Sequence, residues 1–138
     1  FGGYLSVDVM DYVASLLDIQ PIEVYEVATF YSMYHLEKQG EYVIEVCRTG
    51  PCAISGGEHI LEVLEKKLNI MVGETTSDGM FSLKTVECLG GCGNGPVMQI
   101  NTEFYESLTA GKVDNIIDAI RDKTNPENFA GSKWAQKF

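Results

Sequence analysis

Four cysteines are all the thiols in the chain, and they come in two short runs. The first is Cys47-Arg48-Thr49-Gly50-Pro51-Cys52, and the second is Cys88-Leu89-Gly90-Gly91-Cys92-Gly93-Asn94-Gly95-Pro96. Thiolates are soft donors, so four of them in two runs suit a soft metal centre. Glycines at 50, 90, 91, 93 and 95 let backbone come close to sulfur and take positive φ where a turn needs it. Three chemistries use such a set. Disulfides suit a small secreted scaffold, whereas 138 residues with 45% apolar composition can build a core of their own. Structural zinc takes cysteine pairs with about two to four intervening residues, which the second run fits and the first just meets. An iron–sulfur cluster takes four thiolates on loops whose N–H groups point at sulfur, and it accounts for the glycines as well. A [2Fe–2S] and a [4Fe–4S] cluster need the same number of ligands, so spacing leaves the nuclearity open. No Cys-x-x-Cys redox pair occurs. His59, the nearest other candidate ligand, lies one turn into a helix and reads as a surface residue.

The elements around these runs explain how they meet. Glu41 to Val46 is β-branched and reads as a strand ending at Cys47, and Met80 to Glu87 reads as a second ending at Cys88. Between them Ile60, Leu61, Leu64 and Leu68 mark one helix face, with Ser55-Gly56-Gly57-Glu58 as an expected capping box and Asn69 and Gly73 ending the pattern. A strand–helix–strand unit of this kind makes a parallel crossover, so both strands end at one edge and deliver all four cysteines there. Val97 to Ile100 reads as a third strand, paired in a hairpin with Phe104-Tyr105. Thr109 is a predicted N-cap for a last helix, with Val113, Ile116, Ile117 and Ile120 on its buried face.

Ahead of the sheet, residues 4–18 read as an amphipathic helix capped by Ser6, and Pro21 starts a second helix over residues 21–35. That second helix carries Val24, Tyr25, Val27, Phe30, Tyr31, Met33 and Tyr34, so burial on more than one side is expected. The expected organisation is a helical domain over residues 1–39, a thioredoxin-like domain over residues 40–123, and a polar tail over residues 124–138 with isolated Phe129, Trp134 and Phe138. Because the chain begins Phe1-Gly2-Gly3 rather than with Met, residues are expected upstream.

Net charge is −10, with 16 acidic against 5 basic side chains in residues 1–110. An acidic body repels nucleic acid and anionic membrane, so neither is an expected ligand. The charge reads either as a solvated surface or as a match for a basic partner. No apolar run approaches the ~20 residues of a membrane span. No nucleotide-binding G-x-G-x-x-G and no Ser/His/Asp set are present, so no catalytic residue is expected on this chain.

The two runs read Cys47-x4-Cys52, then 35 residues, then Cys88-x3-Cys92. Together with Val24-Tyr25-Glu26-Val27-Ala28-Thr29-Phe30-Tyr31, Leu64-Glu65-Lys66-Lys67-Leu68 and Gly95-Pro96, this pattern closely resembles the small [2Fe–2S] subunits of the NADH-dehydrogenase module of respiratory complex I, NADH:quinone oxidoreductase. Related chains occur in NAD-linked hydrogenases and formate dehydrogenases. The resemblance runs from about Leu5 to about Ile120. Gly91 and Gly95 depart from it, since many relatives carry Ala there, and the helical region of the family begins earlier.

The resemblance implies an α/β fold in which a small helical domain precedes a thioredoxin-like [2Fe–2S] domain. It implies one [2Fe–2S] cluster held by Cys47, Cys52, Cys88 and Cys92, next to the FMN of a flavoprotein partner subunit that oxidises NADH. The chain itself is then an electron carrier in the peripheral arm of a complex I-type enzyme, on the cytoplasmic side of the inner membrane, or the matrix side in a eukaryote, with no direct membrane contact. An equivalent diaphorase subunit of a hydrogenase or formate dehydrogenase, a free-standing ferredoxin, and a zinc-bound assembly module are the alternatives. Arg48 and Glu87 flank ligands, and Arg48 facing the cluster is expected to raise its potential.

Overall fold

Alternation along one strand decides which residues reach the core and which reach the cysteine site. β1, Tyr42–Cys47, is the strand that shows it, in a computed structural model that describes residues 3–123. The expected tail, residues 124–138, lies outside the described residues. Ile44 and Val46 point to one face, while Val43, Glu45 and Cys47 point to the other. β1 pairs in parallel with β2, Phe81–Val86, so that Tyr42 faces Phe81 and Cys47 faces Val86. On its other side it pairs antiparallel with β3, Met98–Ile100, which forms a hairpin with β4, Glu103–Tyr105. The sheet order is β2-β1-β3-β4. The hairpin turns at Asn101, which takes a positive φ of 53° and whose side chain accepts from Val43 N at 2.9 Å and donates to Glu41 O at 3.1 Å.

One face of the sheet makes the main core. Ile44, Val46, Phe81, Leu83, Met98 and Ile100 meet Ile60, Leu64 and Leu68 of α4, Gly57–Leu68, and Val113, Ile116, Ile117 and Ile120 of α5, Ala110–Arg121. Each such side chain stabilises the fold by about 1.5–3 kcal/mol relative to exposure. Lys67 of α4 bridges Asp114 and Asp118 of α5 at 3.4 and 2.9 Å. Thr109 caps α5 by accepting from Lys112 N at 3.2 Å, and Asn69 ends α4 in the left-handed region, as its type allows.

The start of α4 differs from the expected capping box. Its N-cap is Gly56 at φ 101°, and the Ser55 hydroxyl turns back to donate to Pro51 O at 2.7 Å. The reason is a short helix that the sequence pattern does not reveal, α3, Gly50–Ile54, which ends immediately before Ser55 and occupies its hydroxyl.

The chain divides between Gln39 and Gly40 into two units. The first holds α1, Val7–Leu17, and α2, Pro21–Phe30. Ser6 caps α1 through Val9 N at 3.4 Å, and Met10 and Ala14 are its buried residues. α2 stops at Phe30 rather than continuing to residue 35. The Thr29 hydroxyl donates back to Tyr25 O at 2.8 Å, and the following Phe30-Tyr31 pair has low helix propensity, so Tyr31 turns extended at ψ 115°. The burial expected on more than one side of this segment is not supplied within the chain. Only Ala28 is buried in α2, while Phe30 is 79% exposed and Ile22 59%.

Candidate metal centre

Each cysteine is placed by a different local device. Cys47 is the last residue of β1, and its N donates to Val97 O at 3.1 Å. Cys52 lies in α3, which has Pro51 in its first turn and is held by Cys52 N donating to Thr49 O at 2.9 Å. The loop expected between these two cysteines is thus mostly one helical turn. Cys88 follows β2 in irregular backbone, and Cys92 opens a 3₁₀ turn, Cys92–Asn94. Because β1 and β2 are parallel, both runs emerge at the same edge, and α3 touches the 3₁₀ turn of the second run.

The four thiols form two pairs of different character. Cys47 and Cys52 are buried with Val97, covered by Leu89 and Phe104, on the face of the sheet away from the main core. Cys88 and Cys92 are exposed, with their sulfurs 3.3 Å apart. Two thiolates on one tetrahedral metal with bonds of ~2.3 Å sit about 3.8 Å apart, so the second pair is close to the bite of a single ion. Among the described residues no three Cys, His, Asp or Glu side chains converge on one point.

The electrostatics alternate within each pair. Burial pushes the Cys47 thiol up, but hydrogen bonds from the Thr49 hydroxyl, from backbone at Thr49 and Leu89, and from Cys52 outweigh it and leave it below the ordinary thiol value. Cys52 is raised, by burial first and then by its hydrogen bond to Cys47. Cys88 is lowered by the backbone N–H of Gly90, which lies 3.4 Å from its sulfur, and by Cys92. Cys92 is raised by that same bond to Cys88 and by the charge beside it. Each pair therefore holds one thiol shifted down and one shifted up, and the lowered member of each receives backbone N–H groups that favour the anion. Four soft donors with this support fit a thiolate-ligated cluster.

Close backbone approach is visible at two glycines. A Cβ on Gly57 would meet Cys52 O at 2.9 Å and Cys47 O at 3.2 Å, and one on Gly91 would meet a Val97 methyl at 2.9 Å. Gly95 has more room, its nearest neighbour being Ser55 Oγ at 3.2 Å. His59 is exposed on α4, in keeping with a surface role. Arg48 and Glu87 are exposed too, with Arg48 N donating to Val86 O at 3.2 Å. Thr49 does not stand out in the sequence pattern. Its hydroxyl lies 3.5 Å from the Cys47 sulfur, and the only signal for it is a hydroxyl two residues after a cysteine.

Comparison with known proteins points the same way. An NADH-quinone oxidoreductase subunit of Rickettsia felis is 49% identical over 117 residues, 85% of this chain and 70% of the relative. The mitochondrial NADH dehydrogenase [ubiquinone] flavoprotein 2 of Dictyostelium discoideum is 46% identical over 121 residues, and the chain spans about half of that relative's length. Among solved structures, an NAD+-reducing [NiFe]-hydrogenase in its H2-reduced state superposes with a TM-score of 0.76 at 19% identity, over 91% of this chain and 22% of the hydrogenase chain. A thioredoxin-like [2Fe–2S] ferredoxin from Aquifex aeolicus superposes with a TM-score of 0.56 at 18% identity, over 69% of this chain and 94% of the ferredoxin. These two show a shared fold. Residues 1–121 match the family described as thioredoxin-like [2Fe–2S] ferredoxin, so with its mixed four-stranded sheet and its relatives the chain belongs to that family.

Proposed function

We propose that this chain carries one [2Fe–2S] cluster, held by Cys47, Cys52, Cys88 and Cys92, and works as an electron-transfer subunit of an NADH:quinone oxidoreductase. The observation that carries the ligand set is the arrangement of the thiols as two adjacent pairs at one sheet edge. Two pairs suit two metal ions with two thiolates each, whereas a structural zinc site gathers four ligands on one ion. Identities of 46–49% with NADH-quinone oxidoreductase subunits favour the respiratory enzyme over a hydrogenase, whose likeness at 19–21% identity concerns the fold.

The cluster, when bound, cycles by a single electron. The chain's own part is to hold four thiolates, to aim N–H groups at their sulfurs, and to keep water from the Cys47 and Cys52 side. FMN and NADH belong to the flavoprotein partner. The pair at Cys88 and Cys92 is the exposed side, from which an electron enters and leaves. The open apolar surface of α1 and α2, with Leu16 70% and Phe30 79% exposed, suits a subunit covered by other subunits of a peripheral arm. The host complex is membrane-associated, and no described helix is long and apolar enough to cross a membrane. We place the chain on the cytoplasmic side of the inner membrane, or the matrix side in a eukaryote.

The test is an electron paramagnetic resonance spectrum of the dithionite-reduced protein, with iron, sulfide and zinc counted on the same sample. A rhombic signal with about two iron and two sulfide per chain is the expected result. One zinc and no sulfide would overturn the function and leave the fold standing.

A further inference from the structure

Thr49 stands at the N-cap of α3 in extended backbone, φ −86° and ψ 153°, the setting in which a threonine hydroxyl accepts from the first turn of a helix. It makes no such bond: Pro51 has no N–H, and Cys52 N donates to the Thr49 carbonyl at 2.9 Å. The other hydroxyl N-caps among the described residues do: Ser6 accepts from Val9 N, and Thr109 from Lys112 N. The Thr49 hydroxyl is turned instead toward sulfur, 3.5 Å from Cys47 Sγ, and it is also among the groups that hold the Cys88 thiol down. One side chain thus touches a cysteine of the buried pair and acts on one of the exposed pair.

Resting on the cluster reading above, we propose that Thr49 is a positioning residue whose hydroxyl donates to the cluster thiolate at Cys47 and so raises the reduction potential. A thiolate has no proton to give, so once the cysteines are ligands the hydroxyl is the donor. It has one proton and serves one sulfur at a time. A hydrogen bond to a sulfur is stronger when the cluster carries the extra electron, so it favours the reduced state.

The experiment is a redox titration of the intact, cluster-loaded protein, followed by electron paramagnetic resonance, for wild type, Thr49→Val and Thr49→Ser. Iron and sulfide are counted on each sample. Thr49→Val keeps the shape and loses the donor, and its midpoint potential is expected to fall, while Thr49→Ser stays near wild type. Deuterium exchange read by electron–nuclear double resonance gives a second readout: an exchangeable deuteron coupled to the reduced centre in wild type and absent in Thr49→Val. An unchanged potential with an unchanged deuteron signal in a fully loaded Thr49→Val would overturn the proposal. If Thr49→Val and Thr49→Ala both fail to load while Thr49→Ser loads, the hydroxyl serves assembly, and the tuning role is likewise overturned. Wild type that holds no sulfide would sink the cluster reading before any variant is compared.

Discussion

The two cysteine pairs offer the same donor atoms from opposite environments. Cys47 and Cys52 are 1% and 2% exposed and sit in a strand and a helical turn, while Cys88 and Cys92 are exposed and sit in glycine-rich backbone. The first pair is held by what surrounds it: β1 by the sheet, Cys52 by α3, and both by Val97. The second is held by the 3.3 Å contact of its sulfurs, the Gly90 N–H, and a 3₁₀ turn that Ser107 N ties down at Asn94 O, 2.7 Å. If the four thiols hold the proposed centre, it is half scaffold and half adaptable: the buried pair fixes where the centre sits, and the exposed pair faces the electron's partner.

The largest effect should come from removing a ligand on each side. Cys52→Ala and Cys92→Ala are both expected to lose the cluster, seen as lost iron and sulfide. They should differ in the metal-free protein: urea unfolding is expected to show Cys52→Ala destabilised by about 1–2 kcal/mol and Cys92→Ala within ~0.5 kcal/mol of wild type. Equal losses would break the contrast. Next comes Gly57→Ala, which forces a Cβ against the carbonyls of both buried cysteines and should cost about 1–3 kcal/mol with poorer cluster loading. Gly95→Ala meets Ser55 Oγ and Cβ at 3.2 and 3.3 Å and Cys52 Cα at 3.4 Å, a milder crowding than at Gly57, and should cost less, under about 1 kcal/mol by the same denaturant measurement.

Protonation sharpens the comparison further. Cys52 and Cys92 are the raised members of their pairs, so each must lose a proton before it can ligate. A raised thiol is neutral below its shifted pKa and becomes a ligand as pH rises, so metal loading should strengthen with pH and release protons. Titration of the metal-free protein with ferrous iron at several pH values checks this, and loading independent of pH would contradict it. The smallest difference is within the exposed pair. Cys88, lowered by the Gly90 N–H, should be alkylated by iodoacetamide before Cys92, as mass spectrometry of partly modified protein would show.

Much of this was legible from the chain because the signals were periodic. The β-branched run at Tyr42–Val46 and the 3.6-residue spacing of Ile60, Leu64 and Leu68 point to a parallel crossover, and a parallel crossover brings the two runs to one edge. Val113, Ile116, Ile117 and Ile120 reveal α5 by the same rule. What escaped was shorter than one period or decided by competition. α3 has five residues, too few for a repeating face, and Gly50-Pro51 resembles a turn. Ser55 has a capping residue's type, yet its hydroxyl donates to Pro51 O. α2 reads as long, but a threonine back-bond and two aromatics stop it, and its apolar side chains are open within this chain. The buried–exposed division of the cysteines follows from neighbours distant in sequence, such as Val97 and Phe104, and no local pattern encodes it.

The direction of β1 and β2 has a practical consequence for engineering. Both strands run toward the cysteines, so α4 must return to their starting end, and the turn between Asn69 and Met80 lies across the full length of the sheet, about 17 Å for six residues. Ser77 and Asp78 are exposed at its tip. A peptide tag or fluorescent reporter spliced there would lengthen the interval between Cys52 and Cys88 without moving either, because that interval is a path around the sheet rather than a ruler across the site. The 35-residue spacing is therefore elastic, and a search for similar centres in other chains should fix the two short runs and let the distance between them float.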